Sequence, residues 1–265
     1  MALEILRDPR LSQVEWQDLC DVSSQEVWSE VLIYVPWLVA SLVFAHLQWW
    51  IPALGASFMF FLCGLRQVHG AFHYAVGVEP KRHEWLMFIL SPLMMSAMHA
   101  VQYCHLRHHR HCMDEDDVEA MSAQMPGWKA LLMGPKFPWL LHKTALQDGK
   151  PATRRWIYWE LAAMAAMVVF AFFVVDWVFL QYHVIAMVVG QSFSAFFAVW
   201  TVHHDCDRHH YIARTIRNPF KAFVTYDMFY HVEHHLFPTV PTCKLPVLAD
   251  RLDQVAPELK TKQVF

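Results

Sequence analysis

Long runs without charge, a one-sided distribution of Lys and Arg, and three clusters of histidine predict an all-α integral membrane protein. The expected architecture is four transmembrane helices paired as two hairpins, an interfacial or re-entrant helical segment between the hairpins, and a cytoplasmic helical cap that holds the histidines. Of the 265 residues 56% are hydrophobic, 15% aromatic and only 17% charged, too apolar a mixture for an ordinary soluble domain. The 21 Lys and Arg are outnumbered by 24 Asp and Glu, a net charge of -3, so the chain offers no basic footprint and no nucleic acid partner is expected. Six cysteines are scattered without a CxxC pair, which argues against a disulfide framework, a zinc ribbon or a built-in iron–sulfur cluster.

The uncharged stretch 31–65 exceeds the ~20 residues that one crossing needs, and Pro52 with Gly55 offers a turn. It reads as a hairpin, out over about residues 28–48 and back over 51–68, with Trp49 and Trp50 at the interface. Residues 161–175 and 177–204 are separated by Asp176 alone and read as a second hairpin turning near 176–182. With these crossings, every Lys and Arg falls within 1–30, 66–155 or 205–265, all on one side. That bias places both termini and the middle loop in the cytoplasm. The first 30 residues carry Glu4, Asp8, Glu15 and Asp18, lack a cleavable signal peptide, and are expected to form a short amphipathic interfacial helix. The chain divides as a single membrane domain: an N-terminal segment 1–27, a first hairpin 28–68, a loop 69–155, a second hairpin 156–203 and a cap 204–265.

Three clusters stand out among 18 histidines: His69-Gly-Ala-Phe-His73, His105-Leu-Arg-His108-His109 and His231-Val-Glu-His234-His235. On a helix, positions i, i+3 and i+4 share a face, so each cluster is expected to aim its imidazoles at a common point. Neutral imidazole is a good ligand for iron, zinc or copper, and eight rings are too many for one ion. A ninth candidate is His203 or His204, where the last span leaves the membrane. Nine donors suit two metals, and redox metals better than two zincs, whose sites close at four ligands. The same logic applies to the uncharged stretch 85–106. A single crossing there would put the first two clusters in different compartments, so it must lie along the interface or dip in and return. His111, Asp207 and Glu233 are candidates to orient the ligands from behind. The run Asp114 to Asp117 could orient ligands in the same way, but with Glu119 it is read in the first place as a solvated loop. His46, His83, His99, His142 and His183 are isolated and read as structural or solvated, and Met94, Met95, Met98, Phe193, Phe196, Phe197 and Trp200 as helix packing ahead of a tunnel lining.

The three boxes, their order, and their placement after the second span, in the middle loop and after the last span resemble the membrane-bound fatty acid desaturase and hydroxylase superfamily. The segment Tyr230-His-Val-Glu-His-His-Leu-Phe-Pro-Thr-Val-Pro241 is similar to the third box of bacterial acyl desaturases and carotenoid ketolases, and His105-Leu-Arg-His-His-Arg-His111 to their second. Gly70 stands where many members carry an acidic residue. The resemblance implies four spans with a cytoplasmic cap, two Fe ions held by the eight box histidines with His203 as the further ligand, and O2 as oxidant. No catalytic residue beyond the metal centre is implied.

The function expected is that of an O2-dependent di-iron oxidoreductase, first a fatty acyl desaturase that introduces a double bond into a lipid acyl chain. The alternative on the same centre is a carotenoid or hydrocarbon hydroxylase or ketolase. A reading from another class is a non-catalytic histidine-rich metal carrier or sensor, disfavoured because transport sites usually put ionisable groups at mid-membrane. Electrons are expected from an external donor of ferredoxin, rubredoxin or cytochrome b5 type with its reductase, and the membrane from the resemblance is the bacterial inner membrane.

Overall fold

The computed structural model describes residues 4–265, and among these the chain is helical, with one isolated bridge between Thr215 and Gln263 and no strand. The first hairpin is α1 (Ser24–Leu32), continued after a break by α2 (Val35–His46), against α3 (Trp50–Phe72). Ser23 starts α1 with a reciprocal cap: its hydroxyl accepts from the Glu26 N–H while the Glu26 carboxylate accepts from the Ser23 N–H. The hairpin turns at Gln48, whose φ is +58°. Pro52 and Gly55, read above as the turn, lie inside α3 instead. Proline costs little in a first helical turn, where the N–H has no intrahelical partner anyway.

Polar contacts lock the hairpins together. Ser41 and Ser57 share a hydrogen bond at 2.7 Å, and Ser57 a second with Tyr182 of the other hairpin at 2.9 Å. At the opposite end of α3 a buried Arg66 pairs with both oxygens of Glu30, at 2.5 and 2.6 Å, and donates through Nε to the Tyr226 carbonyl at 2.7 Å.

Next come α4 (Pro80–Met94) and α5 (Met98–His111), bent by 114° at the break between them. The backbone freed by that bend is satisfied inside the protein: Ser91 Oγ accepts from Met98 N, His142 Nε2 from Ala97 N, and Gln191 Nε2 donates to the Met94 carbonyl. A straight crossing by residues 85–106 is thereby excluded. The chain goes on through α6 (Gly127–Leu132), α7 (Lys136–Asp148) and α8 (Pro151–Val169), which continues through a π turn to Val174. Then α9 (Val178–Gln191) leads, after a 48° bend, into a π stretch Ala195–Trp200 and the short α10 (Thr201–His203). Ser122 Oγ and Thr201 Oγ1 donate to the Ala195 and Phe196 carbonyls that this stretch displaces. Three helices, Ser24–His46, Trp50–Phe72 and Pro151–Val174, are long and apolar enough to cross a membrane, or up to five if each bent pair is one span.

The C-terminal part carries α11 (Pro219–Val224), α12 (His231–Leu236) and α13 (Leu245–Val255). Of the first 30 residues only those from Ser24 on enter an α-helix, α1, among the described residues. Before it stand three short 3-10 turns, Ile5–Arg7, Pro9–Gln13 and Gln17–Cys20, with Pro9 interrupting the segment. Ile5, Val14 and Leu19 are buried with Leu248 and Leu252 of α13, and Arg251 pairs with Asp18 at 2.7 Å. The segment closes the C-terminal core.

Candidate metal centre

α3 brings His69 and His73 to its end, the 114° bend returns α5 with His105, His108 and His109 beside them, α10 adds His203, and α12 supplies His231, His234 and His235. All nine rings converge, in two groups. His69, His73, His105, His109 and His234 place their ligand atoms within 4.8 Å of one another. In the second group the Nε2 atoms of His108, His203, His231 and His235 form a closed ring, at 3.1 Å from His108 to His203, 3.1 Å to His231, 3.2 Å to His235 and 3.3 Å back to His108. His109 of one group stacks on His235 of the other with centroids 4.2 Å apart.

The boxes do not each aim at one point. In boxes two and three the i, i+4 pair joins one group and the i+3 residue the other. Box two gives His105 and His109 to the five-histidine group and His108 to the ring of four, whereas box three gives His231 and His235 to the ring and His234 across. The reason is rotational: i and i+4 differ by about 40° around a helix, while i+3 and i+4 stand about 100° apart.

Hydrogen bonds from behind determine which nitrogen faces inward. His108 Nδ1 donates to Asp117 Oδ2 at 2.7 Å, His105 Nδ1 to Glu119 Oε1 at 2.8 Å and His203 Nδ1 to the Ile212 carbonyl at 3.0 Å. A neutral imidazole that donates through Nδ1 carries a lone pair on Nε2. His203 therefore aims its Nε2 lone pair at His108 Nε2, 3.1 Å away; against the effect of burial, Cys112 and Asp117 hold His108 well above the ordinary histidine value, so either a proton on its Nε2 or a metal ion can bridge the two. His203, His231 and His235 place their ligand atoms within 4.8 Å of one another, as do His108, Cys112 and His203, close enough to share an ion. In the other group the buried Nε2 atoms of His69 and His73 have no hydrogen-bond partner. Unpartnered, inward-facing imidazole nitrogens fit metal ions and little else.

Electrostatics agree. Burial first, and then crowding by the neighbouring rings, holds His231, His234 and His235 well below the ordinary histidine range, in the neutral form that binds metal. Burial acts to raise Asp117, but its bond from His108 and those from the Ala120 and Met113 N–H groups keep it below the usual carboxylate value. Burial pushes Glu119 up to about 7.

The residues expected to orient ligands fall elsewhere. His111 is exposed. Asp207 accepts from the N–H groups of His209, His210 and Tyr211 and so folds its own loop. Glu233 turns away from the rings to accept from Thr215 Oγ1 at 2.7 Å and Arg217 at 2.5 Å, which fastens box three to the C-terminal core. Of His203 and His204, His203 enters the ring, while His204 stacks on Trp200 at 3.9 Å. The groups bonded to the rings from behind are Asp117, Glu119 and the Ile212 carbonyl, and the acidic run is only in part a solvated loop. The Cys112 thiol also approaches His108 Nε2, at 3.8 Å. The acidic residues stand 9 and 14 positions from their histidines across a turn, a separation that helical periodicity does not flag.

An apolar cavity of about 70 Å³ runs from His69, His105 and His231 toward the α4–α5 bend, walled by Met94, Met98 and Phe137. A larger groove of about 860 Å³ lies outside it between α3 and the α9–α10 arm, lined by Phe193, Phe196, Phe197 and Trp200. The two share Phe61, Leu65, Met228 and Phe229 as a common wall; of the positions expected to serve in packing, Met94 and Met98 line the cavity, Phe193, Phe196, Phe197 and Trp200 line the groove, and Met95 packs against the core.

Compared with known families, residues 47–264 match the fatty acid desaturase family. Among curated proteins, a beta-carotene ketolase of Paracoccus sp. is 27% identical over 149 residues, 54% of this chain and 54% of that protein. The chain thus spans about half the length of the curated relative it matches.

Proposed function

Because this chain belongs to the fatty acid desaturase family, we propose that it is an O2-dependent di-iron oxidoreductase, a fatty acyl desaturase that introduces a double bond into a lipid acyl chain. The observation that carries the proposal is the meeting of nine imidazoles in two adjacent groups, five and four, at the mouth of an apolar cavity. His69, His73, His105, His109 and His234 would hold one iron, and His108, His203, His231 and His235 the other. Two irons held there would supply what side chains cannot, dioxygen chemistry able to remove hydrogen from an unactivated C–H bond with electrons from the external donor.

The protein's own residues perform the rest. Asp117, Glu119 and the Ile212 carbonyl fix the rings of His108, His105 and His203 so that Nε2 points inward before any ligand arrives. Met94, Met98 and Phe137 keep the cavity apolar and exclude water from the reacting carbon. Phe61, Leu65, Met228 and Phe229 part that cavity from the outer groove, the route by which a chain dissolved in the bilayer reaches the centre. Electrons come in this reading from a ferredoxin, rubredoxin or cytochrome b5 type donor and its reductase. The one-sided Lys and Arg distribution supports an inner-membrane protein with both termini and the histidine-bearing cap in the cytoplasm.

A second reading, carotenoid or hydrocarbon hydroxylation or ketolation on the same centre, is favoured by the ketolase match. Profiling lipids and pigments of cells with and without the protein separates the two. New double bonds in acyl chains support the desaturase, and altered carotenoids replace it with the second reading. Metal analysis tests both: two coupled irons per chain are expected, and a single labile zinc or nickel would instead indicate a metal carrier.

A further inference from the structure

Away from the metal centre lies a second buried cluster of titratable groups. His99, at the start of α5, is 2% exposed. Its Nδ1 faces Glu160 Oε1 at 2.6 Å and its Nε2 faces Glu84 Oε2 at 2.8 Å. With a carboxylate on each side the ring donates from both nitrogens, which makes it an imidazolium. The other oxygen of the fully buried Glu160 accepts from the His99 backbone N–H at 3.2 Å, capping a helix that has no side-chain cap of its own. Trp156, one turn earlier on α8, lies flat on the ring at 4.9 Å with a 2° interplanar angle, the placement of a cation on a π face. The other oxygen of Glu84 accepts from the Tyr74 hydroxyl at 2.6 Å, and Tyr74 directly follows His73. The remaining titratable groups nearby are committed to backbone: His83 to Val76 N and the Glu79 carbonyl, His142 to Ala97 N and the Pro138 carbonyl.

One ring thus ties together α8, α4, the start of α5 and the end of α3. We propose that His99 is a positioning residue for the metal centre, and that the Glu84–His99–Glu160 clamp sets where α5 and the end of α3 present their histidines. The proposal rests on the metal-centre reading given above. It carries an asymmetry. Four of the five donors in one group, His69, His73, His105 and His109, come from the two helices that the clamp joins, against His108 alone in the ring of four. Loss of the clamp therefore loosens the five-histidine group first.

The test uses the full chain in detergent or nanodiscs, loaded with iron and challenged with a chelator, with retained iron per chain and its spectroscopic signature followed in time. The wild-type chain is expected to hold two irons. His99→Gln should lose one of them at least ~10-fold faster while the other keeps its wild-type rate. His99→Arg, which restores a cation between the two carboxylates, should recover most of the difference, a rescue that a merely space-filling role would not produce. Should His99→Gln not accumulate, Glu84→Gln cuts only the partly exposed outer half of the clamp and should speed loss of the same iron. Both irons retained at wild-type rates, or both lost together without rescue by Arg, overturns the inference. A wild-type chain that holds no metal pair sinks the underlying reading as well, and is recognised before any substitution is made.

Discussion

Between His108 and Asp117 a single hydrogen bond decides which ring nitrogen looks into the ring of four. Asp117→Asn keeps the shape but weakens the acceptor that fixes the tautomer, so metal affinity of that group should drop about 10–100-fold, measured by chelator competition. Glu119→Gln should do the same to the five-histidine group through His105. His108→Ala or His234→Ala removes a ligand outright. Each is expected to abolish product formation while the chain still inserts in the membrane, and wild-type activity in either variant would refute the ligand assignment. The box histidines were legible because helical spacing at i, i+3 and i+4 is a local property of sequence. The division of each box between two groups was not, since a 100° rotation between neighbours becomes a choice of partner only once α3, α5 and α12 are placed around them. Asp117 lay in an acidic run that could orient ligands but reads first as solvated loop, Glu119 and the Ile212 carbonyl escaped for the same reason, and Glu233, an acid inside a box, points to Arg217 and not to a ring.

Among elements, the bends do the positioning. The 114° turn after α4 returns box two to box one, and the 48° bend with its π stretch delivers His203 and opens the groove beside α3. Gly190 sits where a Cβ would come within 3.2 Å of Phe61, a residue of the wall between groove and cavity. Gly190→Ala should therefore shift Phe61 and change KM or chain-length preference without loss of iron, which product analysis and metal content measure together. Arg66→Met strands Glu30 as an unpaired buried carboxylate between the arms of the first hairpin. It should cost about 3–5 kcal/mol in unfolding, largely recovered when Glu30 is replaced by an apolar residue too. The hairpins were readable from runs of uncharged residues. The break of the first falls at 47–49, beside the Trp49 and Trp50 expected there, although Pro52 and Gly55 themselves lie inside α3, and the fold of the first 20 residues was not legible because their burial depends on α13, more than 200 residues downstream.

For the molecule as a whole, nine imidazoles packed in one dry site, most of them held in the neutral form, make stability depend on pH and on metal. In the folded chain His231, His234 and His235 are held well below the ordinary value of 6.5 that they regain on unfolding. A depressed pKa gives stability that is present above 6.5 and is lost as pH falls, because the unfolded chain then takes up protons that the buried rings refuse. Glu119, raised to about 7, acts with the opposite sign, favouring the fold at low pH. His108, which Cys112 and Asp117 raise well above 6.5 against the effect of burial, acts in the same sense as Glu119; these are two groups against the larger number of depressed rings, so the depressed rings set the direction. The metal-stripped chain should thus lose stability steadily from about pH 6.5 downward. The metal-loaded chain should be more stable near neutrality, since bound ions add their binding energy to the folded state, and should converge on the stripped one as protons displace the metal. Thermal unfolding of both forms between about pH 5 and pH 8 reads this directly. A stripped chain equally stable across that range would mean that the rings are protonated or solvated in the fold, and with that the case for a preformed metal centre would fail.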